Sequence, residues 1–222
     1  MSGVLAALPD PGLPFESIVA ALRAHAWVQD AQFGEGPLPG GQLTILLVPS
    51  AAGIRELRCH GKRRVVEVLE QYLRPPAGTP RAEWRLVESC EAPGDPAAKG
   101  ASGPAWMPLV RELAVAADSR SLSCQLRVPF ELPVFGGHFP SRPIVPGVMQ
   151  LGWASELARS HGLVTGRVSG ISTAKFRRLV LPGMCLAARI ERGPQEGDLQ
   201  FTYRLGHGVV TTGRLRFEDS DD

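Results

Sequence analysis

No stretch of the sequence approaches the ~18 consecutive apolar residues of a membrane span, and no cysteines cluster. Lysine is scarce, at Lys62, Lys99 and Lys175 alone, so arginine carries nearly all the positive charge. With 24 basic and 22 acidic residues the net charge is +2, too small to argue for a nucleic-acid partner or an anionic membrane surface. Cys59, Cys90, Cys124 and Cys185 form no CxxC and no Cys/His group, which argues against a zinc site. They read as reduced, mostly buried thiols. The opening MSGVLAALPDPGLPF lacks a basic region, and Pro9, Pro11 and Pro14 end its apolar run, so it does not read as a secretory signal. The expectation is a cytoplasmic chain with no membrane span and no internal repeat.

What is present suits a globular protein: 222 residues, 44% hydrophobic and 21% charged, enough to bury a core. The segment Glu91 to Trp106 is dense in Pro, Gly and Ala and has no hydrophobic period, so it divides the chain. We expect a small α+β domain over 13–100, a linker over 101–110 and a second domain over 111–222. In the first, helical spacing over Glu16–His25 and Ile54–Leu73 alternates with apolar strands at Gly41–Pro49 and Trp84–Val87. Gly61 is placed to interrupt the longer helix. In the second, Leu122–Pro129 reads as a strand and Val148–Arg159 as an apolar helix. Strand patterns then recur at Val168–Phe176, Met184–Arg192, Leu199–Leu205 and Val209–Phe217. One helix wrapped by an antiparallel sheet fits these elements.

Chemistry concentrates in GGHFPSRPIVPGVMQLGWASELA, from Gly136 to Ala158. Two glycines before His138 permit a close turn. Pro140, Pro143 and Pro146 stiffen the path from His138 to the helix, and Pro146-Gly147 opens that helix without a bulky side chain. Exposed N–H groups at such an end favour developing negative charge. A thioester carbonyl there would be polarised towards an enolate, with His138 near enough to take the α-proton.

This stretch resembles the signature GHFPxxPxxPGV of hotdog-fold 3-hydroxyacyl-thioester dehydratases. A second segment, GISTAKFRRLVLPGMCL from Gly170 to Leu186, is similar to that family's later strand pair. PGVMQLGWASELA is closer still to the dehydratase-like domain of aryl-polyene pigment pathways. The resemblance implies a hotdog domain, an acyl carrier protein presenting substrate on its phosphopantetheine, no other cofactor, and sites at a dimer interface. There a histidine of one subunit works with an acid of the other. His138 is then the base, Gly147 the oxyanion donor, and Phe139, Pro146, Val148, Gly152 and Phe176 line the substrate. Arg177 and Arg178 would receive the acidic carrier or its phosphate, or else stand on a solvated strand edge.

The family's acid lies fourteen positions after the histidine, which here is Gly152. Mid-helix glycine costs about 1 kcal/mol relative to alanine and donates no proton, and losing one acid/base partner costs roughly 10²–10⁴ in rate. Glu156, one turn on, is a substitute through space freed at Gly152, or is an ordinary helix carboxylate facing solvent or an arginine. Gln150 could orient a water. A third source is the acid of a different hotdog chain in a heterodimer. His25, His60, His161 and His207 have no supporting partners in sequence and default to the surface.

The first domain, AWVQDAQFGEGPLPGGQLTILLVPS through PRAEWRLVESCEAPGDPAAKG, resembles the small C-terminal subdomain of adenylate-forming acyl ligases. That resemblance makes Lys99 an adenylate-contacting residue, with Ala98 replacing the usual glycine, and names a separate acyl ligase as partner. The ligases' large nucleotide-binding domain has no counterpart here. The subdomain then either serves a ligase in trans or is a docking element. Three readings of the whole follow: a dehydratase-like subunit, a non-catalytic partner or acyl-binding pseudoenzyme, and an acyl thioesterase. Gly152 weighs against the last as well.

Overall fold

The computed structural model describes residues 15–34, 43–74, 82–89, 105–137 and 142–219. The chain divides into two units, Met1–Ala92 and Pro93–Asp222.

In the first unit, α1 (Phe15–Ala24) leads into β1 (Val28–Phe33), β2 (Thr44–Pro49), α2 (Ala51–Leu73) and β3 (Glu83–Leu86). β2 is central, antiparallel to β1 and parallel to β3, with α2 as the crossover. Ser50 caps α2 by accepting from the Gly53 N–H, and its hydroxyl donates to Ala26. α2 breaks at Gly61, whose φ of 77° only glycine adopts freely. Leu57, Val65 and Leu69 are still buried on α2, as are Leu22, Leu47 and Trp84 elsewhere in this unit.

The second unit runs β4 (Leu109–Val115), β5 (Ser121–Arg127), α3 (Val134–Gly137), α4 (Gly147–Ser160), β6 (Arg167–Phe176), β7 (Cys185–Arg192), β8 (Asp198–Leu205) and β9 (Gly208–Glu218). Its strands form one antiparallel sheet in the order β4-β5-β7-β8-β9-β6. α4 buries Gln150, Trp153, Ala154, Leu157 and Ala158, the i, i+3, i+4, i+7, i+8 stripe of a helix seated on a sheet. These meet alternate residues of β5 (Leu122, Leu126), β7 (Leu186, Ile190), β8 (Phe201, Tyr203) and β9 (Val210, Leu215) in one core. A central helix against an antiparallel sheet is the hotdog arrangement. β6 contributes nothing to that core, and nearly every residue along it is exposed.

The four strands after α4 fall within a residue or two of their expected bounds. β1 and β4 were not foreseen. β4 starts at Leu109, inside the stretch read as linker, and apart from Val110 and Val115 its LVRELAV is built from good helix formers. Pairing with β5 overrides that preference, with an irregularity near Glu112, whose φ is 50°. Burial of the thiols also departs from expectation. Cys124 is buried, and burial raises its pKa to about 11, whereas Cys59 and Cys185 are exposed on α2 and on the open sheet face. Cys90 lies outside the described residues. Nor is His25 a free surface residue. Its ring packs edge-on to Trp27 and Tyr72, its Nδ1 accepts from the Trp27 N–H, and partial burial lowers its pKa.

Candidate active site

The N-terminus of α4 organises the site. Pro146 stands at the N-cap with extended backbone, and no side chain caps the first turn. The N–H groups of Met149 and Gln150 both turn back to the Pro146 carbonyl. Among the described residues, no partner meets the N–H groups of Gly147 and Val148. The end of the helix is therefore a small positive pole open to a ligand oxygen.

The surrounding chain holds this end in place. The Val145 N–H donates to the Val180 carbonyl at 2.9 Å, tying the pre-helix segment to the one after β6. Gln150, 3% exposed, donates from Nε2 to the Val145 carbonyl and accepts at Oε1 from the Thr211 hydroxyl at 2.6 Å. Its own carbonyl accepts from the Tyr203 hydroxyl at 3.0 Å. Burial, and secondarily Cys124, push the Tyr203 phenol's pKa well up, so the phenol stays a donor. Gln150 thus pins the first turn to β8 and β9. Its amide is committed to the protein, a structural role in place of the water-orienting one the sequence left open.

Phe176, at the end of β6, lies across Gly147. A Cβ at 147 would stand 2.5 Å from the tip of its ring, so only glycine fits beneath it. Two predicted site residues are thereby brought together. Val148, 73% exposed, and Leu179 are bare, and Phe176 is half-exposed. Arg177 and Arg178 follow, exposed, with both backbone N–H groups on the Val210 carbonyl, and the Arg178 guanidinium lies over Gly208. His138 and Phe139 lie outside the described residues, as does Lys99 in the first unit. The chain is anchored on both sides of residues 138–141: Phe135 of α3 is buried, as are Pro143 and Val145.

The middle of α4 differs. A Cβ at Gly152 would stand 3.2 and 3.4 Å from the Cζ3 and Cη2 atoms of Trp106, so the indole occupies the space that glycine leaves. The Trp153 indole N–H donates to the Trp106 carbonyl at 2.8 Å. Trp106 was missed at the sequence level, although a lone tryptophan in a Pro/Gly/Ala stretch is a signal of burial. Glu156 accepts from the Ser160 hydroxyl at 3.1 Å and has the Arg159 guanidinium 3.8 Å away. It sits nine residues, about 13.5 Å, along the helix from Gly147, so α4 itself brings no carboxylate to its N-terminus. A polar cavity of about 470 Å³ opens beyond the other end of α4, beside Gly162, Arg192, Asp198 and Asp219. None of the predicted site residues lines it.

Comparison with known proteins places the second unit among dehydratases. The ApeI-like family model, described as ApeI dehydratase, matches residues 114–214. The 3-hydroxyacyl-[acyl-carrier-protein] dehydratase FabZ of Chlamydia trachomatis serovar L2 is 34% identical over 115 residues, 45% of this chain and 73% of that protein. The FabZ of Thermus thermophilus is 35% identical over 107 residues, 45% of this chain and 70% of that protein. Among solved structures, the dehydratase heterocomplex ApeI:P from Xenorhabdus doucetiae matches with a TM-score of 0.46 at 28% identity, over 49% of this chain and 96% of that one. With this likeness over most of a curated relative, the chain belongs to the hotdog dehydratase family.

Proposed function

We propose that the chain is a dehydratase-like hotdog subunit acting on 3-hydroxyacyl thioesters borne by the phosphopantetheine of an acyl carrier protein. The setting we infer is aryl-polyene or related fatty-acid-like biosynthesis, with the acid supplied by a second hotdog chain. The observation that carries this reading is the uncapped N-terminus of α4 at Gly147 beneath Phe176, on a helix without a carboxylate near that end. The N–H groups of Gly147 and Val148 would hold the thioester oxygen as it gains charge. His138 would take the proton from C2, the C3–O bond would break, and the partner's acid would protonate the departing hydroxyl as water. The products are a 2-enoyl thioester and water.

A partner chain has a place to sit. β6 is an edge strand, and its Val168, Ile171 and Phe176 stand opposite Phe217, Leu215 and Thr211 of β9. They extend the apolar face of the sheet beyond the reach of α4 and are 40%, 56% and 47% exposed. An exposed apolar edge favours strand pairing with another chain. The test is mass spectrometry of 3-hydroxyacyl carrier protein incubated with this chain alone and with a co-expressed hotdog partner. Water loss only with the partner, abolished by His138→Ala, is the expected result. Release of free acid would make it a thioesterase instead.

A second reading is favoured by the indole at Gly152: a non-catalytic subunit that binds the acyl chain and completes another chain's site. Acyl-carrier binding without turnover under any pairing would establish it. For the first unit we keep the docking reading, with a separate acyl ligase as its partner. Lys99→Ala should then leave that ligase's adenylation rate unchanged, and a fall would assign Lys99 to the adenylate.

A further inference from the structure

We propose that Trp106 is a positioning residue that closes position 152, fixing this chain as the half of its site that brings no acid. The inference rests on the dehydratase-like reading above. Two features of the contact carry it. The ring stands 3.2 Å from where the first side-chain atom at 152 would lie, so even alanine must displace it. An aspartate there would begin against the apolar Cζ3–Cη2 edge of the indole, which itself offers a carboxylate no donor.

Trp106 is also held from behind. Its carbonyl accepts from the indole N–H of Trp153, the residue after Gly152, so its main chain cannot withdraw without breaking that bond. Its side chain packs on the core, and the next residues, Met107 and the buried Pro108, lead straight into β4. The segment that enters the second unit therefore carries the group that fills the acid's place. Gly152 and Trp106 form one device: the indole stands where a side chain at 152 would begin.

Two arms on the full chain test this. In the first, Gly152→Ala is made in the native and Trp106→Ala backgrounds and melting midpoints are compared. Behind a removed indole, alanine should raise the midpoint by about 2–4 °C, the usual gain from replacing a helix-interior glycine. In the native background it should give no gain or a loss. Equal gains in both backgrounds would overturn the proposal. If Trp106→Ala does not fold, Trp106→Leu keeps the core covered while vacating the ring edge. The second arm assays 3-hydroxyacyl carrier protein with Gly152→Asp alone and combined with the Trp106 substitution. Water loss at least tenfold faster in the double variant supports closure by Trp106, and a single variant already as fast as the double sinks it. Coupled melting with no turnover in any variant, with or without the co-expressed hotdog partner, would uphold the closure and reject the dehydratase reading.

Discussion

Helix α4 carries two glycines with an aromatic ring where a Cβ would stand, and the two positions do opposite things. At Gly147 the ring is the half-exposed Phe176, and the glycine lies in the first turn, where backbone N–H groups have no helical partner. At Gly152 the ring is Trp106, and the glycine's N–H already belongs to the helical ladder. A missing side chain at the first position uncovers backbone chemistry. At the second it removes the only chemistry the position offered. The two lie about 7.5 Å apart along the axis and about 140° apart around it, so each ring guards its own face. On the dehydratase-like reading proposed above, the first position would polarise a thioester, and the second is where an acid for the leaving hydroxyl would have stood.

The largest effect expected is from Trp153→Ala. This fully buried indole fills the core beneath α4 and anchors Trp106, so its loss should cost about 3–5 kcal/mol in chemical denaturation. Trp153→Phe should cost less, keeping the packing while releasing the Trp106 carbonyl. If the rings act independently, that milder variant should loosen position 152 and leave Gly147 and Phe176 as they are. Next comes Gln150→Leu, which strands the Thr211 hydroxyl and the Val145 carbonyl in the core, at about 2–4 kcal/mol. Because Gln150 pins the first turn, this change should blunt the site at Gly147 more than it alters the contact at Gly152.

Gly147→Ala should act on activity and scarcely on stability. A methyl group 2.5 Å from the Phe176 ring tip must swing that ring off the helix end, while alanine itself favours the helix. We expect about a tenfold fall in kcat, worth about 1.4 kcal/mol, with little change in melting midpoint. Restoration by Gly147→Ala with Phe176→Ala would assign the loss to the displaced ring. Continued loss in that pair would assign it to the glycine backbone.

The hotdog unit was legible in the sequence because its strands alternate and its helix carries a motif with unusual proline and glycine spacing. The stripe Trp153, Ala154, Leu157, Ala158 announces the face that meets the sheet. β4 was hidden because LVRELAV mixes helix formers with two valines, and its partner strand decides its state. The absence of an acid at 152 could be read directly, but not what replaced it. Trp106 lies 46 residues away and reaches Gly152 only through the fold. The structural role of Gln150 was hidden for the same reason, since its partners Tyr203 and Thr211 come from strands fifty or more residues later. Local pattern gives elements, and pairing across the sheet gives the partners.

The smallest effect expected is at Arg177 and Arg178, on the rim beside Phe176. Both are exposed, so attraction to an acidic carrier is screened and worth at most about 1 kcal/mol for each. Arg178 rests its guanidinium on Gly208 at the start of β9, beside the β8–β9 turn, whereas no such support is seen for Arg177 among the described residues. Arg177→Ala should raise KM for the acyl carrier a few-fold at low ionic strength, leave kcat unchanged, and lose its effect at high salt. Arg178→Ala should do the same and also free the turn beside it. A change in kcat, or one that persists in high salt, would move these arginines from carrier recognition to the Gly147 side of the comparison, as direct partners of the polarised thioester.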